Sequence, residues 1–175
     1  MLEKAQWKVL DYLTLAEKPV FVSEIARKTG LGKSSVSRAL KVLKDYDFLK
    51  CSKRGSAVFC EVDRGSPALV RIRVALNLIE IEPKITVLKK FSNKIVLFGS
   101  CSNGTDTNES DIDLLVVTSE KTRTIKATQN IKFSRPAQWV LKTPQEYIIL
   151  NNKEPVFAEE LAKGITLWGR HEITA

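Results

Sequence analysis

Two carboxylates stand two residues apart in Ser110-Asp111-Ile112-Asp113, at the head of an apolar run, Leu114-Leu115-Val116-Val117. Upstream, a second apolar run, Ile95-Val96-Leu97-Phe98, ends in Gly99-Ser100. Residues at i and i+2 of a strand share a face, with Cα atoms ~6.6 Å apart. Carboxylates held there beside apolar neighbours repel each other and lose hydration. A divalent cation between them relieves both costs. Mg²⁺ is bound by one or two carboxylates together with substrate phosphates rather than by an all-protein cage. Gly99 lets the backbone come close to a phosphate, and the hydroxyl and amide of Ser100 can donate to it. These parts predict a site for a nucleoside triphosphate, with the metal at Asp111 and Asp113.

The arrangement of Gly-Ser, a polar loop and Asp-x-Asp resembles the motif of the nucleotidyltransferase superfamily of DNA polymerase beta in its minimal form. The match is at Gly99, Ser100, Gly104, Ser110, Asp111, Ile112, Asp113 and Leu114. The resemblance implies that Asp111 and Asp113 are the catalytic, Mg²⁺-holding carboxylates, and that Gly99, Ser100 and Ser110 lie at the nucleotide. It also implies transfer of a nucleoside monophosphate from a triphosphate to a hydroxyl acceptor. The chain departs from the family pattern in three places. Cys101 and Asn103 stand where many members carry Arg. The family sets a third carboxylate on a later strand, but the candidate strand, Pro136–Pro144, has no Asp or Glu. Gln138 is the expected occupant of that position, and an amide cannot act as a base at neutral pH. Glu146 follows at a helix start marked by Thr143-Pro144, where a first-turn carboxylate suits the helix dipole. Lys132 and Arg135, before the same strand, either reach phosphate or remain solvated loop charges. His171, the only histidine, is given no role.

The elements that must position this site are short strands and helices. Residues 93–98 and 111–117 read as strands, 136–144 as a third, and 154–170 as a helix closed at Gly164 followed by a strand. The preceding segment, Ser66–Phe91, reads as a connector helix with Pro67 in its first turn and a break or kink at Pro83. Leu69, Ile72, Leu76 and Ile79 form one apolar stripe and Val70, Val74, Leu78 and Ile81 another, so two sides need cover. The second cover is either the other half of the chain or a second copy, which makes this helix a candidate homodimer surface.

The first half carries different chemistry. Glu3–Glu17 reads as a helix stopped by Pro19. A second helix follows, capped by Ser23 and closed by Gly30. A third, Lys33–Tyr46, places Val36, Leu40 and Leu43 inward and Lys33, Ser34, Ser35, Ser37, Arg38 and Lys41 outward. Short hydroxyls and cations near a helix start suit phosphates and base edges in a major groove. Phe48–Val62 then reads as a hairpin turning at Gly55-Ser56. That register pairs Cys51 with Cys60 and puts Lys53 and Arg54 at the tip, against a sugar-phosphate backbone. A Cys51–Cys60 disulfide is geometrically allowed, but reduced thiols are the expectation in a cytosol. This half resembles a winged helix-turn-helix of the MarR/ArsR kind, which implies duplex DNA as partner. Winged helices fused to minimal nucleotidyltransferases occur in archaea, and the resemblance to that fusion covers essentially the whole chain.

Charge supports the division. Residues 1–90 hold 18 Lys and Arg against 10 Asp and Glu, whereas residues 91–175 hold 10 of each. A one-sided basic half is the footprint of a polyanion partner. No apolar stretch approaches the ~18 residues of a membrane span, so a cytoplasmic location is expected. No C-x-x-C pair points to zinc. The expected architecture is α+β: a winged helix-turn-helix over residues 1–65, a helical connector over 66–91 and a small nucleotidyltransferase-type sheet with flanking helices over 92–175. Three functions fit: a DNA-binding nucleotidyltransferase, a transcription regulator with a catalytically degenerate nucleotide-sensing or dimerising domain, and an antitoxin-like partner of a HEPN-type protein. The last rests on family analogy alone.

Overall fold

The computed structural model describes residues 2–55 and 57–169. His171 and Ser56, the second residue of the expected hairpin turn, lie outside them, as does the side chain of Arg54. The chain forms two compact units, Met1–Arg73 and Val74–Ala175.

The first unit opens with α1 (Lys4–Leu15), where the backbone N–H of Glu3 donates to Gln6 Oε1 at 2.7 Å. The short strand β1 (Val20–Phe21) leads directly into α2 (Val22–Thr29). Ser23 therefore does not cap α2, contrary to expectation: Phe21 is the N-cap. Pairing of Phe21 with Phe59 fixes extended backbone up to that residue, so the cap falls two positions before Ser23. Gly30 closes α2 at φ +68°, a conformation that costs glycine little. Helix α3 (Lys33–Asp45) buries Val36, Ala39, Leu40 and Leu43 against Val9, Leu10 and Leu13 of α1 and Ile25 of α2. Strands β2 (Lys50–Arg54) and β3 (Ala57–Glu61) form the hairpin in the register that the apolar alternation predicts, with Arg54 opposite Ala57 and Cys51 opposite Cys60. Cys51 and Cys60 are joined in a disulfide, where the sequence favoured free thiols. Their Cα atoms are 4.2 Å apart, the close approach of a non-hydrogen-bonded antiparallel pair. The first two turns of α4 (Pro67–Lys84) complete this unit. There the buried Arg73 pairs with Asp11 and donates to Thr14 Oγ1 at 3.4 Å.

The second unit is a four-stranded sheet in the order β6-β5-β4-β7, built from β4 (Lys94–Phe98), β5 (Ile112–Val117), β6 (Ala137–Lys142) and β7 (Ile165–Gly169). β4 runs antiparallel to β5 and β7, and β5 runs parallel to β6. One face packs Ile95, Leu97, Ile112, Leu114 and Val116 onto Ile81, Ile85 and Leu88. The other packs Val96, Phe98, Leu115 and Val117 onto Leu150 and Leu161. Burial on both faces explains why β4 and β5 are continuous apolar runs rather than alternating ones. Pro83 does not end α4 in place: the helix runs to Lys84 and tightens into a 3₁₀ segment, Ile85–Lys90. The carbonyl left without a donor belongs to Ile79, whose side chain is 71% exposed, on the solvent side of the helix.

Candidate functional site

β4 ends at Phe98 and the chain turns at once into the short helix α5 (Gly99–Asn103). Gly99 makes that turn at φ +66°, and a Cβ there would lie 2.6 Å from Asp113 Oδ2. Only glycine fits both the backbone and the space. Across the ladder Phe98 faces Asp113, so the carboxylate lies directly beside the strand-to-helix turn. Asp111 is exposed and sits one residue before β5 rather than inside it. Burial pushes the Asp113 carboxyl above its ordinary range, and the negative charges of Asp111 and then Glu160 push it further. This is the repulsion expected of paired carboxylates.

Three contacts bracket Asp111. The guanidinium of Arg135 donates to the carbonyl of Ser110 at 3.5 Å, the Cys101 thiol to the carbonyl of Asp111 at 3.4 Å, and the Ile112 N–H to the carbonyl of Pro136 at 2.9 Å. Ser110 Oγ accepts from the Thr107 N–H at 2.9 Å, closing the turn ahead of the carboxylates. The carbonyl of Ser100 accepts from the N–H groups of Gly104 (3.0 Å) and Thr105 (3.2 Å), which ties the two ends of α5 together.

Residues 83–173 match the model of the family described as Polymerase beta, Nucleotidyltransferase. The chain belongs to that family. Residues 2–50 match the MarR family, so the first unit is a MarR-type domain attached to a nucleotidyltransferase-type one. In structure the chain is similar to AF1382 of Archaeoglobus fulgidus, at 18% identity over 46% of this chain and 92% of that one, with a TM-score of 0.40. It is also similar to ZitR of Lactococcus lactis, a zinc-responsive MarR family member, at 19% identity over 53% of this chain and 65% of that one, TM-score 0.42. For ZitR in complex with DNA the identity is 19% over 51% of this chain and 70% of that one, TM-score 0.33. No curated protein matches the chain.

In the nucleotidyltransferase-type unit, the position beside Asp113 on the parallel neighbour β6 is occupied by Gln138, as the sequence predicts. Glu146 serves α6 (Pro144–Ile148): it accepts from Lys121 Nζ at 2.7 Å and from the Thr143 N–H at 2.6 Å. Those donors hold its carboxyl down at about 2. The residue that does bring a further negative charge toward Asp113 is Glu160, on α7 (Pro155–Ala162). No spacing in the sequence relates it to the Asp-x-Asp pair. Among the described residues no group of three or more His, Cys, Asp and Glu is placed to hold a metal. A cation held by Asp111 and Asp113 would complete its shell with phosphate and water, which suits Mg²⁺. The close approach of the Asp113 carboxylate to the turn at Gly99 and the repulsion at Asp113 fit such an ion.

Lys132 is exposed on a loop, but Arg135 is not a solvated charge as the sequence allowed. It is 6% exposed and ion-paired at 2.9 Å with the fully buried Asp106. In the MarR-type unit, Lys33, Ser34, Ser37, Arg38 and Lys41 are exposed along α3 and Ser35 is half-buried. Ser35, Arg38 and Lys41 line a groove of about 510 Å³ with Glu3 and Gln6 of α1, and Lys53 is exposed beside the hairpin tip. Among the described residues no helix is long and apolar enough to cross a membrane.

Proposed function

We propose that this chain is a DNA-binding protein whose second unit captures a magnesium–nucleoside triphosphate complex and transfers a nucleoside monophosphate to a hydroxyl acceptor. The observation that carries the reading is Asp113 held beside the Gly99 turn, with its carboxyl raised by burial and by Asp111. Asp111 and Asp113 would hold the ion, and Gly99, Ser100 and Ser110 would border the nucleotide. When bound, the metal neutralises phosphate charge and orients an in-line displacement. The protein's own part would be to hold Asp113 partly dry within the field of the exposed Asp111, and to leave the turn at Gly99 without a side chain. DNA would be met by Lys33, Ser34, Ser35, Ser37, Arg38 and Lys41 of α3 and by Lys53 and Arg54 of the hairpin, in the excess positive charge of the first half.

Gln138 beside Asp113 supports a second reading, in which the unit binds nucleotide without turnover and acts as a sensor for the DNA-binding half. Two measurements test these readings. A nucleotide titration of the full chain should show saturable binding that needs Mg²⁺ and disappears in the Asp111→Asn, Asp113→Asn double variant. Binding retained by that variant means the site is elsewhere. Pyrophosphate released in the presence of hydroxyl acceptors supports transfer. Release seen only after Gln138→Asp supports the sensor.

A further inference from the structure

Among the described residues, a buried polar cluster centred on Arg135 takes no part in the chemistry proposed above. Arg135 sits on the loop leading into β6, with 6% of its side chain exposed. Its Nη1 donates to the carbonyls of Thr107 (2.7 Å) and Ser110 (3.5 Å). Its Nη2 donates to Asn77 Oδ1 (3.2 Å) and Cys101 Sγ (3.5 Å), and pairs with Asp106 at 2.9 Å. Asn77, on α4, spends its amide hydrogens on the Cys101 carbonyl and Asp106 Oδ1, both at 3.0 Å. Thus one guanidinium collects the helix before the sheet, α5, and the whole 104–110 loop that delivers Asp111. The Cys101 thiol passes the restraint on to the Asp111 carbonyl.

A planar fork with five donors can hold several acceptors in fixed directions, which an ammonium cannot. A buried ion pair in itself adds little net stability, and hydrophobic replacements are often as stable. What it supplies here is direction, because all its acceptors but Asn77 lie on α5 or on the loop that precedes Asp111. We infer that Arg135 is a positioning residue for the metal site, acting through Asp106, Asn77 and the 107–110 backbone to hold Asp111 at the distance from Asp113 at which both reach one cation. The inference rests on the carboxylate reading given above. Outer partners of metal ligands typically control about 10–100-fold in metal affinity.

The test uses Mn²⁺ as a paramagnetic stand-in for Mg²⁺, titrated by electron paramagnetic resonance into the full chain at a temperature where each variant is folded. Arg135→Lys keeps the charge and loses the fork, and Asn77→Ala removes one arm of the cluster with a smaller loss of packing. Both should weaken Mn²⁺ binding about 10-fold or more. Arg73→Met removes the other buried arginine, in the MarR-type unit, and should lower the melting temperature while leaving Mn²⁺ affinity at the wild-type value. Wild type that binds Mn²⁺, with Arg135→Lys and Asn77→Ala binding it equally well, overturns the positioning role alone. Wild type that binds no Mn²⁺ overturns the carboxylate reading and the positioning role with it.

Discussion

At the scale of single residues, Asp113 is held in a state that costs the metal-free protein stability. Burial first, and then the charges of Asp111 and Glu160, raise its carboxyl above the ordinary value. A carboxyl raised in the folded state favours folding most when protonated, so its contribution is complete below the ordinary carboxylate value of about 4 and is lost as pH rises through the folded value. Asp113→Asn removes the ionisation and keeps the shape. With metal chelated, this variant should melt above wild type at pH 7, by on the order of 1–3 °C, and the gap should close toward pH 4. Calorimetry at the two pH values checks this. A variant that melts at or below wild type at pH 7 shows that the carboxylate is not under repulsion. The same change should abolish Mg²⁺-dependent nucleotide binding, so the gain and the loss come from one atom. The Asp-x-Asp pair and the glycine beside it were legible in the sequence because their spacing is local. Arg135 was not, because its acceptors lie 25 to 58 positions away, at Ser110, Thr107, Cys101 and Asn77. A charge on a predicted loop reads as solvated until the fold supplies those partners.

Elements succeed or fail as sequence signals according to whether their determinants are internal. The hairpin β2–β3 was readable because one register alone puts its apolar set on one face. That register also set Cys51 against Cys60, but the choice between thiols and disulfide turns on surroundings that spacing does not encode. The cap of α2 falls at Phe21, two residues before the expected Ser23, because pairing with β3, a distant strand, fixes Phe21. Pro83 reads as a break or kink, and the α-helix ends one residue later, at Lys84, passing into the 3₁₀ segment Ile85–Lys90. The disulfide closes a loop with a sequence separation of 9, for which chain entropy gives roughly 2–3 kcal/mol. Reducing agent should therefore lower the melting temperature of the wild type by several degrees, and a Cys51→Ala, Cys60→Ala variant should melt at the same temperature with and without it. Thermal denaturation in the presence and absence of a phosphine reductant decides this. If wild type is indifferent to the reductant, the bridge adds nothing to the folded state. Removal of the bridge leaves the hairpin register to the remaining apolar pairs, so its effect on DNA affinity is expected to be smaller than that of deleting a cation on α3.

On the scale of the whole molecule, charge and chemistry are segregated: the excess cations lie in residues 1–90 and the paired carboxylates in residues 91–175. Segregation of this kind gives two binding functions different dependences on solution conditions. Contacts to DNA phosphates release counterions, so affinity falls with salt in proportion to the number of phosphates neutralised. Binding of a metal-bridged triphosphate depends instead on free Mg²⁺ and on the ionisation of Asp113. Arg38→Ala and Lys41→Ala should each reduce the salt slope of duplex binding by about 1 and weaken binding to all sequences, with nucleotide affinity intact. The Asp111→Asn, Asp113→Asn protein should show the reverse, with no nucleotide bound and a DNA salt slope equal to that of wild type. Fluorescence anisotropy of a labelled duplex at a series of salt concentrations, with and without Mg²⁺ and nucleotide, measures both. If the carboxylate variant changes the slope, the second unit touches DNA and the basic half is not the complete footprint. If nucleotide shifts wild-type affinity at constant slope, the same phosphate contacts are kept while the population able to make them changes. That outcome would mark the nucleotide as an effector rather than only a substrate.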